Sequence, residues 1–170
     1  MNNLFGRGKK RYVAMQKIQY QQRAAKSNYG ALQKEDCVVG SYDAHNQWED
    51  YDTFLMKYVD ESFKKKVALD FACGPGRNIV KFRSCFARID GADISQTNLE
   101  NAKENLRFHD VTIPRLFVTS GVDCGDVEDE TYHFIFSAIA LQHICVHTIR
   151  YEILTAIYRA LKKGGRISIQ

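Results

Sequence analysis

A chain of 170 residues, 45% hydrophobic and 26% charged, suits one globular domain with a sizeable core and requires no second one. No apolar run approaches the roughly 18 to 20 residues of a membrane span, and the polar, basic N-terminus lacks the apolar core of a secretory signal, so a cytoplasmic protein is expected. The net charge of +4 is unevenly placed: residues 1–34 hold eight Lys or Arg and no acid, leaving 16 basic and 20 acidic residues beyond, a net −4.

Residues 1–35 read as a basic leader, helical from about residue 7 to 27, with Tyr12, Val13, Met15, Ile18 and Tyr20 only weakly amphipathic. Such a cationic segment is either a solvated helix or a surface for nucleic acid or another anion. From Asp36 to Asp52 the chain is aromatic and polar without a clean period, as suits a segment draped over a site. A helix is predicted from about Thr53 to Phe63, burying Phe54, Leu55, Tyr58 and Val59, before a polar break at Lys64–Lys66.

From there the pattern alternates between strand and helix periods, as in a doubly wound α/β domain spanning residues 36–170. Val67–Phe71 is an apolar run fit for a buried parallel strand. A helix from Arg77 to about Phe86 uses Ile79, Val80 and Phe82, and Arg88–Asp93 is the second strand. The next helix starts at Thr97, with Glu100 completing a capping box and Leu99, Ala102 and Leu106 on one face. Pro114 precedes a strand at Arg115–Thr119, and Tyr132–Ala138, aromatic and β-branched, is the fourth. Ile149, Ile153, Ile157 and Leu161 mark a last helix that Gly164 and Gly165 end, so that Arg166–Ile169 begins a fifth strand.

Four features fall at strand ends, where an open α/β sheet gathers one crevice. The first is Val67-Ala-Leu-Asp-Phe-Ala-Cys-Gly-Pro-Gly-Arg77, an apolar run ending in an acid and a Gly-x-Gly turn that lets a ligand approach the backbone. The second is Asp93 in Gly91-Ala-Asp-Ile-Ser95, 17 residues after Gly76, whose two carboxylate oxygens form a fork for a pair of hydroxyls. The others are Gly121-Val-Asp-Cys124 and Ser137-Ala-Ile-Ala-Leu-Gln-His-Ile144.

Together these residues resemble the signature of class I S-adenosylmethionine-dependent methyltransferases, over about residues 36–170. Val38-Val-Gly-Ser-Tyr-Asp-Ala-His-Asn46 joined to Leu141-Gln-His-Ile144 is similar to a group of small methyltransferases. The resemblance implies a Rossmann-like, mostly parallel sheet with strand order 3-2-1-4-5-7-6, of which this chain supplies strands 1 to 5 and not the C-terminal hairpin. The unpaired edge left by strand 5 favours a homodimer or a partner.

It also implies S-adenosyl-L-methionine as cofactor. Ala72, Cys73, Gly74 and Gly76 would present backbone to it, Asp70 would order the loop and meet the methionine amino group, and Arg77 would pair with its carboxylate. Asp93 would hold the ribose, with Ile94 flanking the adenine. Asp123 and Cys124 match positions that read the adenine edge, though an ordinary surface turn fits them equally well. Ser137 and Ala138 would line the methionine arm. His143 is either a general base for an O or N acceptor or a helix-end histidine bonded to backbone. Tyr42, His45, Trp48 and Tyr51 form either a lid on the acceptor side or an aromatic packing cluster. At His133 the chain departs from the resemblance, since many members of that family carry an acid just before the fourth strand proper.

The implied reaction is methyl transfer to a small molecule, because the positive charge lies in the leader and leaves no basic face for a nucleic-acid acceptor. The alternative is a cofactor-binding or interaction domain without turnover. A dinucleotide site would need a small residue where Ile79 stands. His143 and His147 lie four apart but have no third ligand at metal spacing, and the cysteines (Cys37, Cys73, Cys85, Cys124, Cys145) form no Cys-x-x-Cys pair, so neither a metal site nor a disulfide framework is expected.

Overall fold

The computed structural model describes residues 2–26, 28–30, 33–36, 40–41 and 53–170. Helix α1 (Asn2–Ala24) is followed by a three-stranded antiparallel sheet of β1 (Asn28–Gly30), β2 (Gln33–Asp36) and β3 (Gly40–Ser41). The main sheet then alternates with helices: β4 (Val67–Phe71), α2 (Arg77–Phe82), β5 (Arg88–Asp93), α3 (Gln96–Phe108), β6 (Leu116–Val118), β7 (Tyr132–Ser137), α4 (His147–Ala160) and β8 (Leu161–Ile169). Its order is β6-β5-β4-β7-β8 with every pair parallel, the expected 3-2-1-4-5 arrangement of strands.

The sheet is buried on both faces because its central strands carry apolar residues in both directions. Ala68, Phe134 and Phe136 join Ile79, Val80 and Phe82 of α2 and Leu99 and Leu106 of α3. Phe63, Phe86 and Phe134 meet there with ring centroids 5.6–5.9 Å apart. On the other face Leu69, Phe71 and Ile135 pack under Ile149, Ile153 and Ile157 of α4. Each of these fully buried isoleucines contributes about 2 kcal/mol.

The sheet also encloses a charge. Asp90, fully buried in β5, accepts from Arg88 Nε at 2.8 Å, from the Arg115 backbone N–H at 3.0 Å and from the Tyr132 hydroxyl at 2.9 Å. One carboxylate thus ties β5 to the chain entering β6 and, across β4, to β7. His133 of β7 adds a second tie, to β4. Its Nδ1 accepts the Val67 N–H at 3.3 Å, and burial, aided by Lys162, holds it below the usual histidine range, so the neutral ring is the acceptor.

Several boundaries differ from expectation for local reasons. In place of the predicted helix at Thr53–Phe63, residues 53–55 are helical, 56–58 form a turn, and a 3-10 helix follows at Glu61–Lys65, started by the Asp60 carboxylate accepting the Ser62 N–H at 2.9 Å. Leu55 and Phe63 are buried, whereas Phe54 and Tyr58 are 72% and 63% exposed, so the proposed stripe does not form. The first crossover helix stops at Phe82. Helix α3 is capped by Ser95, whose Oγ accepts the Asn98 N–H, and not by Thr97. The last helix ends at Ala160, because Leu161 already pairs with Tyr132. Gly164 and Gly165 therefore lie inside β8, in a register shift opposite Tyr132–Phe134 where Gly164 takes a left-handed φ of 78°.

Candidate functional site

The C-terminal ends of β4, β5, β6 and β7 open into one cleft of about 170 Å³. Its floor begins where β4 meets the glycine turn. Gly74 and Gly76 have φ of 52° and 77°, a region open to glycine at little cost. The turn is tied to its neighbours: Cys73 N–H donates to the Ala92 carbonyl at 3.0 Å, and the Asn105 side chain of α3 donates to the Pro75 carbonyl at 2.9 Å. Ala72 and Ile139, which follow β4 and β7, both line the cleft and both have left-handed backbones (φ 61° and 56°). For a β-branched residue such as Ile139 this is strained, and strain of that kind gathers at ligand sites.

Asp93 links turn and cleft. Its Oδ2 accepts the Gly74 N–H at 2.9 Å, and its Oδ1 accepts the Ser95 N–H at 2.8 Å and the Asn98 amide at 3.3 Å. The residue is 5% exposed and lines the cavity, so the same carboxylate shapes the turn and presents an edge to the ligand space.

Asp70 is different. It lies one layer below, fully buried, and neither oxygen has a hydrogen-bond partner among the described residues. Burial, reinforced by the Asp93 carboxylate, pushes its carboxyl well above the ordinary range, and the facing Asn78 side chain opposes this only in part. The native protein therefore keeps a proton that the unfolded chain releases near pH 4. Above that pH the contribution of Asp70 to stability declines until the raised value is passed. Asp70→Asn is expected to flatten this dependence and to be about 1 kcal/mol more stable than the parent at alkaline pH. Urea midpoints of both proteins from pH 5 to 9 check this, and parallel curves would count against a buried ionisation.

Of the other residues singled out from sequence, Ala72, Cys73, Gly74, Arg77, Asp93, Ile94, Ala138 and His143 line the cleft, while Gly76, Ser137, Asp123 and Cys124 do not. Gly76 caps α2 from beneath, facing Ala102. Ser137 is fully buried. The Asp123 carboxylate folds onto its own loop, accepting from the Ser120 N–H and the Gly125 N–H, both at 2.9 Å. Cys124 belongs to the core beside α4, where burial and then Asp123 push its thiol up to about 12. Thr119 and Gly121 take their place at the wall. Burial also raises Cys73 well above the usual thiol value, so it faces the cleft as a neutral thiol. Tyr42, His45, Trp48 and Tyr51 lie outside the described residues.

The contribution that sequence reasoning missed is α1. Tyr12, Val13, Gln16, Tyr20, Arg23 and Ala24 fall on one helical face and line the cleft. The signal was a 3–4 residue spacing, hidden because that face mixes apolar and polar side chains. Tyr12 donates its hydroxyl to the His143 carbonyl and accepts the Cys145 N–H, both at 3.1 Å. The Gln21 Oε1 accepts from the Ser95 hydroxyl and from the Thr97 N–H at 3.0 Å, and the Asn101 amide donates to the Ala24 carbonyl at 3.0 Å. Lys9 pairs with Glu152 of α4.

Comparison with known proteins follows the same geometry. Residues 68–165 match the family model described as a methyltransferase domain. No curated protein matches the sequence. Among solved structures, an S-adenosylmethionine-dependent methyltransferase from Clostridium acetobutylicum is similar with a TM-score of 0.62 at 21% identity, over 74% of this chain and 51% of that one. A phosphoethanolamine N-methyltransferase from Haemonchus contortus, solved with phosphoethanolamine and S-adenosylhomocysteine, gives 0.72 at 12% identity over 92% and 31%. A geranyl diphosphate C-methyltransferase from Streptomyces coelicolor gives 0.54 at 21% over 71% and 44%. At these identities the likeness concerns the fold, and the chain spans about half the length of the first of these structures.

Proposed function

The chain belongs to the methyltransferase-domain family, and on that premise we propose that its cleft binds S-adenosylmethionine and that the protein transfers the methyl group to an oxygen or nitrogen of a small-molecule acceptor. The observation that carries this reading is the convergence at one cavity of the Gly74 turn, Asp93 and Ile94 with the loops after β6 and β7. The residues suit the cofactor. The buried Asp70 carboxyl beneath the turn would give up its proton when a ligand ammonium supplies the charge it lacks, through Asn78 or water, and Asn78 itself lines the cleft. Arg77 at the start of α2 suits a carboxylate. Asp93 would accept the ribose hydroxyls and Ile94 would pack on the adenine.

When bound, the cofactor supplies an already activated methyl on a positively charged sulfur. What remains for the protein is alignment and the exclusion of water. The apolar walls of the cleft, from Phe71, Ala138, Ile144 and Ile149, perform the second task. An acceptor protonated at working pH needs a base. His143 is the proposed group: it lines the cleft and is exposed, with its Nε2 3.4 Å from the Gln142 amide. Relatives that act on phosphoethanolamine and geranyl diphosphate support a small acceptor, as an analogy of fold.

Calorimetry with S-adenosylmethionine and S-adenosylhomocysteine tests binding, and methyl release over a panel of small acceptors tests turnover. Micromolar binding with release is the expected result. Binding without release from any acceptor would favour a cofactor-binding or interaction domain, and absence of binding would end the assignment.

A further inference from the structure

Helix α1 lies outside the segment that matches the family model, yet one face of it lines the cleft. Besides apolar packing of Tyr12 and Val13 against the core beside α4, it is held by polar contacts in three places, the first being the pair of Lys9 with Glu152. Tyr12 bridges the backbone on either side of Ile144, just beyond His143, while Gln21 and Ala24 engage the first turns of α3. Between these latches Val13 reaches the loop after β6. A Cβ placed on Gly121 would lie 2.8 Å from Val13 Cγ1 and 2.9 Å from Ile94 Cδ1, so Val13 and Ile94 close over Gly121 from two sides. The opposite flank of α1 carries Met15 and Ile18 into solvent, 59% and 57% exposed, so apolar packing holds the helix on its inner side alone.

We propose that α1 is a movable outer wall of the cofactor site, with Val13, Gln16 and Tyr20 facing the ligand and with Tyr12 and Gln21 as positioning residues whose latches set the rate of ligand entry and exit. The inference rests on the reading of the cleft as an S-adenosylmethionine site. With Val13 seated against Gly121 and Ile94, α1 narrows the way out for a ligand flanked by Ile94, and lifting α1 would widen it. Lifting breaks the Lys9–Glu152 pair, a few individually weak hydrogen bonds and the packing of Tyr12 and Val13, and leaves the strands of the sheet paired. Loss of the latches therefore accelerates both entry and exit, and changes affinity less than it changes either rate.

Amide hydrogen exchange on the full chain, with and without S-adenosylhomocysteine, tests the wall. The expected result is at least tenfold slower exchange across residues 9–24 together with the Gly74 turn. Protection of the turn with α1 unchanged would overturn the proposal and leave the cofactor reading standing, whereas protection of neither would overturn both. In a filter-binding chase with labelled S-adenosylmethionine, the double variant Tyr12→Phe, Gln21→Ala is expected to release ligand at least tenfold faster than the parent while keeping its circular dichroism spectrum. Release within twofold of the parent would overturn the gating role. If that variant does not fold, the exchange measurement on the unaltered protein decides alone.

Discussion

Asp93→Ala is expected to weaken S-adenosylhomocysteine binding by at least about 100-fold, which corresponds to about 2.7 kcal/mol. Two losses combine. A carboxylate that accepts both ribose hydroxyls makes charge-assisted bonds of about 1.5–3 kcal/mol each. The Gly74 N–H, the Ser95 N–H and the Asn98 amide also lose their common acceptor, so the turn that should meet the ligand is no longer held against β5. The second loss lowers stability by about 1–3 kcal/mol, within the 5–15 kcal/mol typical of a domain, so the variant should stay folded. Calorimetry beside a urea titration separates the two. Asp93→Asn keeps one carbonyl oxygen and should fall between. Unchanged affinity in the alanine variant would remove Asp93 from the site.

Asp90→Ala carries the largest expected cost in stability, about 3 kcal/mol or more, with no direct effect on the cleft, which Asp90 does not line. The guanidinium groups of Arg88 and Arg115 are partly exposed, their side chains 39% and 53% accessible, so water replaces much of what they lose. The Tyr132 ring is fully buried and the Arg115 N–H lies at the head of β6, and both would lose an acceptor. The penalty comes from these stranded donors more than from lost Coulomb attraction. Tyr132→Phe removes one donor and its need together and should cost only about 1 kcal/mol. Denaturant midpoints of the two variants measure the difference. Equal losses would show that the carboxylate, and not the stranded donors, sets the cost.

The two acids illustrate how closely chemistry in this sheet depends on position. Asp90 and Asp93 lie three residues apart in one strand. Asp90 points to a bonded interior near the strand's beginning, while Asp93 emerges where the strand ends and the ligand space begins. Asp70, in the neighbouring strand, lies beside Gly91 in the parallel register, and its buried carboxyl has no hydrogen-bond partner among the described residues.

Much of this was legible locally. The apolar runs of β4 and β7 announce strands buried on both faces, and the acid followed by Gly-x-Gly marks where such a strand must turn. The face of α3 made by Leu99, Ala102 and Leu106 follows from helical spacing. Short-range competition was harder to read. Ser95 and Thr97 both offer capping oxygens, and the backbone extended at Ser95 gave it the role. Gly164-Gly165 has the form of a helix stop, yet pairing of Leu161 with Tyr132 ended the helix four residues sooner. For Asp123 the resemblance implied a contact with the adenine edge, but Ser120 and Gly125 supply nearer donors and its side chain turned to them.

The sequence alone determined the alternation of elements and the chemistry at each strand tip, because period, burial and turn residues act within a few positions of one another. Only the tertiary structure decided which tips face one cavity and what closes it. Gln21 and Ser95 are 74 residues apart, and Tyr12 and Cys145 are 133 apart. Contacts of that range leave almost no local trace in a helix whose inner face mixes tyrosine, glutamine and arginine. The segment that composition marks as a basic leader thus becomes a wall of the cleft through its packing, since a weakly amphipathic helix takes its place from the surface that receives it.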